Sequence, residues 1–144
     1  MKAALLLPVL VFGCGELDPD VGERLAERCL DEDSDPAADV SFERDLLPLF
    51  EATPGCRCHL STSPEPVGVS LTGLDMATRE SLLRGGSISR SDIVVPGSPC
   101  RSILYLKTGG NPPFGSRMPF DGPPLLSSSQ RQMIADWIAE GAPP

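Results

Sequence analysis

Apolar positions along the 144-residue chain fall into a few separated groups. The first, Ala3 to Phe12, is an unbroken apolar run preceded by Lys2. It is shorter than the ~20 residues a membrane-spanning helix needs and has the length and charge of an export signal. VGERLAERCL can form a short helix, which Cys29 could pin to the body. In VSFERDLLPLFEAT, Phe42, Leu46, Leu49 and Phe50 recur at helical spacing, with Ser41 as cap and Glu43 in the first turn. Pro48 should kink this helix or mark where its regular part begins. A second short helix is expected in MATRESLLRG, started by Asp75 or Thr78 and stopped by Gly85-Gly86. SDIVV has strand-like residues over only five positions and runs into a Pro96-Gly97 turn.

Ser98-Pro99 gives a cap followed by proline at the first helical position, so CRSILYLKT should be helical up to Gly109-Gly110. In LLSSSQRQMIADWIAEGAPP, Ser127 and Gln130 make a capping box, and Gly141 stands where a helix end wants it. Met133, Ile134, Trp137 and Ile138 form one apolar stripe. STSPEPVGVSLTG and NPPFGSRMPFDGPP are rich in Ser, Pro and Gly and read as loops. The pattern predicts an all-α domain of four short helices with long Pro/Gly-rich loops. Such a core is small and should be supplemented by a buried cofactor or by disulfides.

The charge is divided sharply. Between Glu16 and Glu51 there are thirteen acids and three bases; from Ala52 onward, seven acids and eight bases. The acidity therefore belongs to a solvated stalk and the first helix. Without clustered Lys and Arg, nucleic acid is not an expected partner. The apolar run ends in Val-Phe-Gly-Cys, which resembles the bacterial lipobox. That resemblance implies lipid attachment at Cys14, a membrane partner and a periplasmic location. Gly15 in place of an aspartate leans towards the outer membrane. The chain thus divides into a signal peptide at 1–13, an acidic flexible tether at 14–39 and a domain at 40–144.

Outside the cytosol, cysteines are free to oxidise. With Cys14 lipidated, Cys29, Cys56, Cys58 and Cys100 remain. They could form two disulfides in any of three connectivities, or thioethers plus one bridge. Cys100 should pair with either Cys56 or Cys29. PGCRCHL, residues 54–60, holds two of these cysteines and the only histidine. It looks like the haem-attachment signature Cys-x-x-Cys-His with one residue removed.

VSFERDLLPLF, Cys-His, VVPGSPCRSILYLK, RMP and LLSSSQRQMIADWIAEGAPP occur in one order over residues 40–143. In this the chain resembles the small cytochrome c domains of planctomycete and myxobacterial exported proteins. The resemblance implies a cytochrome c-like all-α fold, covalently attached haem c, and His59 and Met118 as axial ligands to iron. It also implies electron transfer with a redox partner protein rather than enzymatic bond chemistry. The family's cysteine spacing is broken here. Keeping Cys58-His59 as the final pair puts Gly55 in the first cysteine's place and leaves one thioether, from Cys58. Were Cys29 tied to Cys100, Cys56 would compete with Cys58 for the same haem edge.

Met76 and Met133 read as core residues of helical stretches, and Trp137 and Tyr105 as core or as cofactor wall. A haem-less, disulfide-stapled lipoprotein with a structural or interaction role is the alternative. A copper or zinc site from Cys56, Cys58, His59 and Cys100 or Met118 is a third reading.

Overall fold

Pro48 decides how the first helix starts. It has no N–H, so the helical bond from residue 48 to the carbonyl of residue 44 is missing. The computed structural model, which describes residues 29–120 and 122–144, has one wide π-type turn here, Phe42–Leu46. In it the Leu47 N–H reaches back to the Phe42 carbonyl. Regular helix α1 (Leu47–Ala52) follows with the proline in its first turn. Ser41 caps the entry, its hydroxyl accepting the Arg44 N–H at 3.3 Å.

Five more helices follow: α2 (Pro54–Arg57), α3 (Val67–Thr72), α4 (Arg79–Arg84), α5 (Ile103–Leu106) and α6 (Ser128–Ala139). The described residues form no strand. SDIVV instead makes a 3-10 turn, Arg90–Ile93, that sends Ile93 and Val94 into the core. The expected 99–108 helix is divided. A 3-10 turn, Pro99–Arg101, is separated from α5 by Ser102, whose buried hydroxyl accepts the Val95 N–H at 2.8 Å. α3 lies inside the segment expected to be loop, and ends at Gly73, whose φ of 69° is one that glycine tolerates.

The core is built where the sequence periodicity is strongest. Phe42, Leu46 and Phe50 from the first helix meet Ile134, Trp137 and Ile138 from α6, all buried. The Phe42 and Trp137 rings lie 5.8 Å apart in a tilted pair, and the indole N–H donates to the Pro143 carbonyl at 2.8 Å. Trp137 therefore belongs to the core. Tyr105 packs against that core with the Arg131 guanidinium 5.0 Å above its ring. The capping box of α6 is formed from both sides, Gln130 N–H to Ser127 Oγ and Ser127 N–H to Gln130 Oε1.

Residues 29–39, assigned to the tether by charge, are docked on α6. The Asp33 carbonyl accepts from Gln132, the Asp35 N–H donates to Asp136, and the Val40 N–H donates to Glu140. Cys29 and Cys100 are joined in a disulfide with Cα atoms 5.5 Å apart, and the Asp31 carboxylate accepts the Cys100 N–H. The bridge selects one of the open pairings. The export signal, Cys14 and the first part of the tether lie outside the described residues, as does most of the helix expected in VGERLAERCL. No helix among the described residues is long and apolar enough to cross a membrane.

Candidate functional site

Thr53, Pro54 and the residues after them turn the shortened motif into one tight helical coil. The Thr53 carbonyl accepts from Cys56 and Arg57, and the Cys56 carbonyl accepts from His59. On a helix, residues two apart are separated by roughly 200°. Cys56 and Cys58 therefore face different ways. Cys56 is buried and lines an inner cavity, whereas Cys58 is partly exposed and lines an outer one. The Cys58 thiol donates to the Gly55 carbonyl at 3.3 Å.

The two cavities share four lining residues: His59, Leu71, Thr72 and Met118. The inner one holds about 180 Å³, less than the roughly 300–1,000 Å³ of small-molecule sites. Its wall is mostly apolar, with Phe50, Leu74, Met76, Leu104 and Ile134 among its residues. The outer one, about 800 Å³ and more open, falls within that range and is edged by Arg57, Glu65, Val67 and Phe120. Leu71, Ile88 and Phe120 stand well exposed at these mouths.

His59 is 8% exposed and fixed on every side. Its N–H is held by the Cys56 carbonyl, and its own carbonyl accepts the Met76 N–H at 2.7 Å. Its Nδ1 lies 3.3 Å from the Leu74 carbonyl. A carbonyl only accepts, so Nδ1 carries the proton and Nε2 keeps its lone pair. Gly68 packs against the ring: a Cβ there would come within 2.8 Å of Cε1 and Nδ1. Burial pushes the imidazole below its usual 6.5; the Leu74 carbonyl opposes this and the Lys107 charge adds to it. The ring is thus held neutral, the state in which it can ligate a metal.

Met118 reaches the same space from the long loop after α5. Its N–H donates to the Lys107 carbonyl at 2.7 Å. The fold therefore brings His59, Met118 and Cys56 to one cavity, with Cys58 at the adjoining one. Cys100, in its bridge, lines neither cavity. Among the described residues, no group of three or more His, Cys, Asp and Glu side chains is arranged to hold a metal ion.

Met76, expected in a helix, lies in the irregular stretch before α4 and forms part of the cavity wall. Sequence reasoning missed α3 and its Gly68 and Leu71, as well as Lys107. Gly73, a glycine at the end of the VGVSLT stretch, was the one local signal for α3. No protein-family model, no curated protein and no solved structure matches this chain.

Proposed function

We propose that this chain is a cytochrome c-like electron carrier, holding one haem c between His59 and Met118 and catalysing no bond chemistry itself. The observation that carries this reading is the meeting of a buried imidazole, a thioether and the Cys58 thiol at one cavity of about 800 Å³. The donor types fit the group: the His59 imidazole and the Met118 thioether are both ligands that haem iron takes, and they would hold it. Haem would supply a one-electron couple, whose potential methionine ligation would raise.

The residues divide the remaining work. Leu74 and Gly68 hold the His59 ring in one tautomer and one plane. Phe50, Leu104 and Ile134 exclude water from the inner side. Cys58, at the outer cavity, would carry the single thioether, while Cys56 lines the inner one. The exposed Leu71, Ile88 and Phe120 give a redox partner protein an apolar surface to meet. Acids around the first helix would steer a basic partner, an effect that salt weakens.

The disulfide Cys29–Cys100 supports an oxidising compartment, in keeping with a periplasmic protein tethered through lipid on Cys14, at the outer rather than the inner membrane. The same bridge favours a second reading, a haem-less stapled lipoprotein with a structural or interaction role. One experiment divides them. The full chain is produced in a host with haem c maturation machinery, and the purified protein is examined for a Soret band and for haem that survives a denaturing gel. Colourless protein from that host overturns the carrier reading and leaves the second.

A further inference from the structure

Met118 sits in a segment with no regular structure between α5 and α6. Something other than a helix or a sheet must fix its sulfur. The Lys107 side chain turns back over that segment. Its ammonium donates to the Phe114 carbonyl at 2.7 Å and to the Ser116 carbonyl, and it lies 4.8 Å from the centre of the Phe114 ring. The Lys107 carbonyl accepts the Met118 N–H. One residue thus grips the segment at positions 114, 116 and 118.

Its neighbour continues the grip. Arg117 Nε donates to the Thr108 carbonyl at 2.9 Å, and the Thr108 hydroxyl is in turn held by Arg131 of α6 and by the Tyr105 carbonyl. The segment is therefore fastened to the end of α5, which is packed into the core. Hydrogen bonds from a charged donor are about twice as strong as neutral ones, and closing a flexible loop has an entropic cost that such anchors offset.

We infer that Lys107 is the positioning residue for Met118: its ammonium, on the two backbone carbonyls, holds the thioether at the cavity shared with His59. The inference rests on the haem-carrier reading for what Met118 does, and on geometry alone for what Lys107 does.

The test uses Lys107→Leu and Lys107→Arg in the full chain, each made with and without haem maturation. In the haem-free form, hydrogen exchange at the Met118 amide, whose N–H the Lys107 carbonyl accepts, is compared with that of α6. Lys107→Leu should speed it roughly tenfold or more, leaving Ile134 and Trp137 protected, and Lys107→Arg should restore most of the protection. In the loaded, oxidised form, Lys107→Leu should lose the long-wavelength sulfur-to-iron charge-transfer band and keep the Soret band. Lys107→Arg should recover the former.

Unchanged Met118 exchange in Lys107→Leu overturns the inference, as does a full sulfur-to-iron band in a loaded Lys107→Leu protein. If the unmutated chain takes up no haem, the carrier reading fails, and the exchange comparison alone decides the role of Lys107. Should Lys107→Leu not fold, Lys107→Gln, whose amide can still donate to one carbonyl, is read in the same way, with intermediate exchange expected.

Discussion

Gly55 lies so close to Pro119 that a Cβ added to the glycine would stand 2.5 Å from the proline Cβ and 3.2 Å from its Cα. The position that an intact Cys-x-x-Cys-His signature fills with its first cysteine is here covered by the residue after Met118. Gly55→Ala has two opposed effects. Replacing a helical glycine gains up to ~1 kcal/mol in propensity, whereas overpacking against a rigid ring costs about 1–3 kcal/mol. The clash should win, for a net loss of about 1–2 kcal/mol in denaturant unfolding of the haem-free protein. Gly55→Cys, which restores the signature on paper, should add no second thioether by mass spectrometry of the loaded protein. A doubly attached haem in that variant would show that Pro119 gives way.

His59 makes the haem-free fold pH-dependent in a window of its own. Its folded pKa lies below the usual 6.5, chiefly through burial. The unfolded chain therefore binds the proton first as pH falls. Stability from this group is complete above pH 6.5 and declines as pH drops through the folded value. Asp45, lowered mainly by its hydrogen bond from Arg44, contributes only further down, around and below its usual 3.8. With one histidine in the chain, a decline in unfolding free energy just below pH 6.5 should belong to His59 and vanish in His59→Gln. An NMR titration of the ring with a midpoint at or above 6.5 would contradict this.

How much of this was legible differs element by element. The Ser127–Gln130 cap and the Met133–Ile138 stripe were readable because both are local: the cap spans four residues and the stripe one helix face. Pro48 was readable because its missing N–H acts within its own turn. His59 and Met118, 59 residues apart, share no local pattern, and only the resemblance joined them before the structure did. α3 was hidden because Gly68 and the flanking prolines look like a loop, although Gly68 is small for the sake of the His59 ring. Lys107 was hidden because its partners are backbone carbonyls, which carry no residue signature. The Cys29–Cys100 pairing could not be derived, since spacing alone leaves every connectivity open.

The disulfide closes a loop of 71 residues and fastens the 29–40 strap to the body. In the chain-entropy account, a loop of that length is worth about 4 kcal/mol. Replacing both cysteines, Cys29→Ser with Cys100→Ser, should lower the unfolding free energy by about that amount. The side chains of Gln132 and Asp136, which now hold the strap, should then lose their partners first. Hydrogen exchange at Asp35 and Val40 faster than in α6 would register this. A stability loss below ~1 kcal/mol would mean that the α6 contacts alone hold the strap.

Cys56 and Cys58 differ in what surrounds them, and this predicts which of them reacts. Burial, and secondarily the neighbouring Cys58, pushes the Cys56 thiol up to about 12, so almost none of it is thiolate near neutral pH. Cys58 is partly exposed at the outer cavity, its hydrogen shared with the Gly55 carbonyl. Mass-resolved alkylation of the folded, haem-free protein at pH 8 should therefore mark Cys58 at least ~10-fold faster than Cys56. The same asymmetry should govern attachment in the maturation host. Cys58→Ser should abolish haem that survives a denaturing gel, and Cys56→Ser should leave it in place. The reverse pattern would move the single attachment point to the inner cavity and require the helical turn of residues 54–57 to open before haem is taken up.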